Sequence, residues 1–435
     1  MLKKSKGVKY YNKAKRVIPG GSMLFSKRAE LYAPEIWPAY FSKSKGCYLW
    51  DIEGKKFIDM YFGVGTNVLG YSNNKINQKV NECVEKGNMT SLNAPEEYIL
   101  AKKLISIHPW AKKVKFSRSG GEANAVAVRI ARAYAKKQNI AICGYHGWHD
   151  WYLSSNLSNQ NGLDKHLMPN LKIKGVSKNL KNTAFPFAYN DFEALKKLIN
   201  KKKIGIIKME VMRNFKPENN FLHKVRKICN QKKIVLIFDE CTSGFRESYG
   251  GKHLDFKVYP DIAIFGKAIG NGYAINAVIG KSKVMSAAED TFISSTFWTE
   301  RIGSVAALET LKLMKKEKSY KFVKNQGRKI KLIWKSLADK YKIPIQISGM
   351  DSLPTFTFLK RNLIYKTILI QEMLKKKILV SNLVFVSIVH TNKILRIYAK
   401  ALDKAFSIIN ECEKGKNYKK ILKTPVCHIP FKRMN

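Results

Sequence analysis

Acidic residues are scarce in this chain: 32 Asp and Glu stand against 80 Lys and Arg, for a formal net charge of +48. An imbalance of that size raises nucleic acid or an anionic membrane as a partner. What is missing argues against both. There is no arginine-rich, aromatic-interleaved module of the kind that reads bases. The lysines are spread almost everywhere, mostly where a solvated helix face would carry them. The charge reads as general Lys-rich composition, which draws in anionic small molecules without reading sequence. Neither a specific nucleic acid nor a membrane is expected as a partner.

Long apolar runs are absent too. None approaches the ~18 residues of a membrane helix. The opening MLKKSKGVKYYNKAKRVIPGG has basic residues with no apolar core behind them, so it does not read as a secretory signal. The seven cysteines are scattered singly, without a Cys-x-x-Cys pair. That excludes a disulfide framework and a zinc ribbon and fits reduced thiols, so a cytoplasmic location is expected. No internal repeat is found. A hydrophobic fraction of 45% excludes disorder. The 435 residues allow two or three domains with substantial cores.

What is present is an alternation of strand and helix patterns. Residues 1–60 read as an N-terminal arm and a hairpin. Tyr10 to Val17 is a short helix stopped by Pro19-Gly20-Gly21, and GCYLWDIEGKKFIDM alternates around the turn Glu53-Gly54. Asn74 to Glu85 and Glu96 to Ile107 have helical spacing. Val114 to Arg118 is a strand running into SGGEANAVAVRIARAYAKK, where Ala123, Val126, Ile130 and Tyr134 recur at helical spacing. NIAICGYHGWHD is a strand followed by an aromatic loop, and IGIIKMEV is a buried strand. Asp191 to Lys201 and Phe221 to Gln231 are helices. Residues 61–300 thus read as a doubly wound α/β domain with a mostly parallel sheet. Residues 301–415 read as a smaller α+β domain, with Ile378 to Ile388 as short strands, and 416–435 as a basic tail.

Two apolar runs in this alternation each deliver a charged residue near their ends. IVLIFDE brings Asp239 and DIAIFGK brings Lys267 to strand ends, where ligands of parallel sheets bind. A lysine that holds an aldehyde as a Schiff base, with a carboxylate that keeps a pyridine nitrogen protonated, would use such a pair in a pyridoxal phosphate site. Singly, each also fits a turn or surface residue. Ser119-Gly120-Gly121 opening a helix would supply backbone donors for a phosphate, or only a turn. Tyr145 would stack on a flat ring, or pack as an ordinary loop tyrosine. His146, His149 and Asp150 lie in a loop with no third cluster beside them, so no metal is expected. Arg213 is a candidate carboxylate or phosphate clamp, with a surface arginine as the alternative. SSTFWTER suits a phosphate contact or a capping box.

Taken in order, these pieces resemble the class III aminotransferases of fold type I, which depend on pyridoxal phosphate. The texture is nearest the glutamate-1-semialdehyde aminomutase branch. PGG, GCYLWDIEGKKFIDM, SGGEA, YHGWHD, FDECTSGFR, FGKAIGNG and STFWTE span nearly the whole chain in family order. The resemblance implies that Lys267 carries the Schiff base and Asp239 pairs with the pyridine nitrogen. It further implies that Ser119, Gly120 and Gly121 meet the phosphate and that Tyr145 stacks on one ring face. Cys241 would lie against the other face, and Thr296 would reach the phosphate of the partner subunit in a homodimer. It also implies that the N-terminal arm joins the small domain. Three features depart from the aminomutase pattern. Gly121 replaces a hydroxyl residue, SMLFSKR follows PGG in place of a gating serine, and Asn382 stands where a glutamate precedes the C-terminal Phe-Val-Ser. Transfer of an amino group from an amino acid to a separate carbonyl acceptor is thus favoured, a sugar or surface-polymer precursor being one candidate. An intramolecular 2,1-aminomutase is the alternative, and a non-catalytic anion binder a remote one.

Overall fold

The computed structural model describes residues 5–158, 162–164 and 173–428. The chain forms two compact units: one ends at Asn73 and resumes at Lys321, and the other runs Asn74–Tyr320.

The larger unit is built on a seven-stranded sheet. Its strands are β1 (Lys113–Ser117), β2 (Ile140–Cys143), β3 (Ala184–Pro186), β4 (Ile206–Glu210), β5 (Val235–Glu240), β6 (Ile262–Phe265) and β7 (Asn276–Gly280). Their spatial order is β1-β7-β6-β5-β4-β2-β3. From β3 to β6 every pairing is parallel, and β7 runs antiparallel between β1 and β6. The mostly parallel, doubly wound expectation holds. β7 carries no signal that separates it from a buried loop, because all five of its residues are buried and no polar face alternates.

Side chains alternate across a strand, so β5 sends Val235 and Ile237 to one face and Leu236 and Phe238 to the other. The first face packs on Ala123, Val126, Ala127, Ile130 and Ala131 of the helix Gly120–Ala135. The second packs on the helices Phe192–Lys202 and Phe221–Lys232, through Leu195, Phe221, Leu222 and Val225. Burial on both faces is why the strands read as continuous apolar runs. Truncating one such residue, Ile237→Ala for example, would cost about 2–5 kcal/mol.

The smaller unit joins the N-terminal arm to the C-terminal part, as the resemblance implies. Tyr48–Asp51 and Lys56–Asp59 form the expected hairpin. Asp51 Oδ1 fixes its turn by accepting from the amides of Glu53 and Lys55, both at 2.9 Å. The expected strands in 378–388 shrink to Ile378–Leu379, which pairs parallel with Lys56–Asp59. Beyond them Phe356 N bonds to Asn382 O at 2.9 Å and Val384 N to Pro354 O at 3.1 Å, the two bonds of one antiparallel bridge between Thr355 and Leu383, and Val386 N bonds to Ser352 O at 3.1 Å. The apolar run thus has strand burial, with its pairing reduced to Ile378–Leu379 and that single bridge. Of the tail, Tyr418–Ile421 is a short helix, and the last residues of the chain lie outside the described ones.

Candidate active site

In the large unit β1, β2, β5 and β6 all point one way, so the residues that follow them reach one edge. These are Ser119-Gly120-Gly121 after β1, Tyr145 and His146 after β2, Cys241 after β5 and Lys267 after β6. Asp239 is the next-to-last residue of β5. Antiparallel β7 starts at that same edge, where Asn276 lies opposite Ser117.

Asp239 is buried and satisfied on both oxygens. Oδ2 meets His146 Nδ1 at 2.9 Å and Lys208 Nζ at 3.4 Å, and Oδ1 accepts from the Cys241 amide at 3.1 Å. Burial alone would push this carboxyl up. Lys208 and the His146 hydrogen bond reverse the effect and hold it ionised, far below the usual carboxylate range. Both nitrogens of His146 meet oxygen, since Nε2 also lies 3.2 Å from the Cys143 carbonyl. Burial and Lys208 push the imidazolium down. The proton on Nδ1 serves the closer, charged acceptor, Asp239.

Lys267 opens a short 3-10 turn with φ of 44°. That left-handed conformation costs a residue with a side chain about 1–2 kcal/mol, and such outliers cluster at working sites. Its Nζ donates to Thr242 Oγ1 at 2.8 Å. Glycine before it leaves room for Asn276: a Cβ on Gly266 would fall 1.9 Å from Asn276 Oδ1 and displace that side chain. The Cys241 thiol touches the same group, with Sγ 3.9 Å from Asn276 Oδ1. A Cβ on Gly120 would lie 3.6 Å from that sulfur, so the bare helix start faces Cys241. Burial and the nearby Asp239 push the thiol well up, and Cys241 stands as a small neutral surface.

Ser119 caps the helix Gly120–Ala135. Its hydroxyl accepts from Glu122 N at 3.3 Å, and Glu122 Oε2 accepts from Ser119 N at 2.8 Å. The first-turn amides of this helix have no intrahelical acceptor. Tyr145 is partly buried, its ring edge-on to Tyr152 at 6.2 Å, and its amide donates to Glu210 Oε2 at 3.1 Å. Thr296 is exposed in the turn Thr296–Thr299. Arg118 ties that turn beside the glycines, with Nη2 donating to the carbonyls of Trp298 at 2.8 Å and Glu300 at 2.7 Å. The cap of the helix Arg301–Glu317 is Glu300, which accepts from Gly303 N at 3.0 Å. The surface alternative for Arg213 fails: the residue is buried, with Nη1 3.6 Å from Glu210 Oε1.

The two histidines of YHGWHD have other work than metal binding. His146 holds Asp239, and His149 lies over Gly121, where an added Cβ would come within 2.6 Å of its Cε1. Among the described residues no group of three or more His, Cys, Asp or Glu could hold a metal ion. The sequence reading missed His146 as the partner of Asp239, and missed Lys208, Thr242 and Asn276 altogether. Lys208 did leave a signal, as the one cation inside the apolar run IGIIKMEV.

The residues present fit pyridoxal phosphate. A carboxylate offers about four lone-pair sites. Three donors reach Asp239, which leaves one for a pyridine N–H. A glycine-opened helix start lies on the same edge for the phosphate, and Lys267 for the aldehyde.

Fold and site together define a pyridoxal-phosphate-dependent enzyme of the transaminase fold. The chain belongs to the Aminotransferase class-III family, which matches residues 32–412. It is 32% identical over 370 residues to a 3-aminobutyryl-CoA aminotransferase of Cloacimonas acidaminovorans, covering 82% of this chain and 85% of that one. It is 33% identical over 430 residues to a glutamate-1-semialdehyde 2,1-aminomutase of Nitrosopumilus maritimus, covering 91% and 98%. An omega-transaminase from Sphaerobacter thermophilus shares the fold with a TM-score of 0.82 at 23% identity, over 93% of this chain and 97% of that one.

Proposed function

We propose that this enzyme moves an amino group from an amino acid to a separate carbonyl acceptor. The observation that carries the reading is the buried, ionised Asp239 on the sheet edge from which Lys267 also rises. Pyridoxal phosphate, when bound, supplies an electron sink for the bond broken at the amino-bearing carbon. Asp239 would hold the ring nitrogen and its proton. Lys267 would hold the cofactor through its aldehyde, and its Nζ would serve as the group that moves a proton at the reacting carbons. Thr242 Oγ1, 2.8 Å from Nζ, orients that amine. Ser119, Gly120 and Gly121 would hold the phosphate, and Tyr145 and Cys241 would flank the ring. Borohydride reduction should trap the chromophore on Lys267, and Lys267→Ala should abolish the trapping. Trapping on another lysine would refute the assignment.

Transfer between two molecules is preferred to the intramolecular aminomutase because of Asn382. Its Nδ2 donates to the Phe356 carbonyl at 2.9 Å and its Oδ1 accepts from Ser381 Oγ at 3.1 Å. The amide is engaged in tying backbone and does not replace a glutamate carboxylate. The pyridoxamine form should convert to the pyridoxal form on adding keto acids or keto sugars, with an absorbance change. Turnover of one amino-aldehyde with no donor and no keto-acid product would establish the aminomutase instead. The working unit is a cytoplasmic homodimer in which Thr296 serves the partner's phosphate. Mixing Thr296→Ala with Lys267→Ala protein then gives mixed dimers with one site native and the other carrying both defects. Activity should return on subunit exchange. Exchange without recovery, where Thr296→Ala alone is impaired, would contradict shared sites.

A further inference from the structure

Lys208 is the residue at this site whose presence the proposed reaction does not require. It sits inside β4, fully buried. β4 and β5 pair Lys208 with Ile237 and Glu210 with Asp239, so all four side chains share the face covered by the helix Gly120–Ala135. Lys208 is therefore the diagonal neighbour of Asp239, and its Nζ stands 3.4 Å from Oδ2. The charged and titratable groups around it are Asp239 and Cys241 from β5 and its turn, Glu210 on its own strand, and His146 from the loop after β2. Arg213 pairs with Glu210 at 3.6 Å. Two carboxylates thus face two side-chain cations, Lys208 and Arg213, and the His146 ring also sits on Asp239. Burial pushes the Lys208 ammonium down, and Asp239 pulls it back up. A protonated pyridine nitrogen on Asp239 would add a further positive charge to a site with no further carboxylate among these groups. Two cations then compete for one carboxylate away from water, where like charges repel strongly.

We propose that Lys208 is a positioning residue that competes with the cofactor's ring nitrogen for Asp239, so that the nitrogen holds its proton less tightly than an aspartate alone would make it. The inference rests on the site reading above and refines it. Lys208 fixes the carboxylate and at the same time restrains the electron sink.

The test uses holoenzyme loaded with pyridoxal phosphate labelled with 15N in the ring, with the nitrogen chemical shift followed against pH. In the wild type the nitrogen should titrate within the range where the protein is folded. Lys208→Met keeps the length and removes the charge. It should raise the nitrogen's proton affinity roughly 10- to 1,000-fold, the usual effect of removing a like charge a few ångströms away. Lys208→Arg keeps the charge and should titrate like the wild type. A wild-type nitrogen protonated throughout would overturn the proposal, and that measurement stands even if Lys208→Met does not fold. So would a Lys208→Arg protein that behaves like Lys208→Met, since that assigns the effect to packing. Borohydride trapping separates the two levels. Label trapped on Lys267 with an indifferent Lys208 sinks this inference alone, whereas label trapped elsewhere sinks the site reading and this inference with it.

Discussion

Asp239 and Lys208 can each be removed with a different consequence, and the difference separates chemistry from stability. Asp239→Ala takes away the group proposed to hold the ring nitrogen, so turnover should fall by orders of magnitude. It also leaves Lys208 fully buried without its nearest counter-charge. Breaking a buried pair on one side costs about 3–5 kcal/mol, whereas replacing both members with apolar groups is often neutral. The double variant Asp239→Ala/Lys208→Met should therefore recover most of the lost stability in denaturant unfolding and none of the turnover. A double variant as unstable as the single one would show that Lys208 does not depend on Asp239 for its burial.

At the scale of elements, the start of the helix Gly120–Ala135 combines two functions in four residues. Ser119 and Glu122 close a capping box, and the glycines between them leave the helix end bare. Ser119→Ala should cost about 0.5–2 kcal/mol of stability and weaken retention of pyridoxal phosphate in dialysis. Full retention would assign Ser119 to capping alone. This element also marks what the sequence makes legible. Ser119, the glycines, Asp239 and Lys267 were readable because each ends a regular pattern, a strand run or the first turn of a periodic helix. Thr242 and Asn276 were not, because they act through sheet neighbours distant in sequence. Thr242 reaches Lys267 across two parallel strands, and Asn276 arrives on an antiparallel strand that has no polar face. His146 was visible as a histidine, but its partner is 93 residues away, and no local spacing could name it. Strand pairing is shorter than expected in 378–388 for a related reason. Apolar alternation specifies burial, while the ladder depends on a partner edge elsewhere in the chain.

For the whole molecule, the net charge of +48 sets the background and buried histidines set the response to acid. Any binding to nucleic acid should be electrostatic and fall steeply with salt. A salt-resistant, sequence-selective complex would mean that the lysines form a reading surface. Each compact unit carries a fully buried histidine whose hydrogen bonds require the neutral ring. In the large unit His108 Nδ1 donates to the Leu104 carbonyl at 3.0 Å, and Nε2 accepts from the Gly251 amide at 2.9 Å. In the small unit His390 Nε2 donates to the Asp59 carbonyl at 3.0 Å, and Nδ1 accepts from the Ser387 amide at 3.2 Å. A second proton on either ring would set donor against donor. Burial accordingly pushes both from the ordinary 6.5 to about 4. A depressed histidine pKa means that the unfolded chain takes up the proton first. Stability is then complete above 6.5 and is lost as pH falls toward about 4. The difference corresponds to about 3 kcal/mol for each histidine. Denaturant midpoints should decline across that window, and His390→Gln should flatten the decline whatever it does to stability at neutral pH. An equally steep decline in His390→Gln would move the acid sensitivity elsewhere, to the self-repulsion of a chain that gains positive charge with every carboxylate it neutralises.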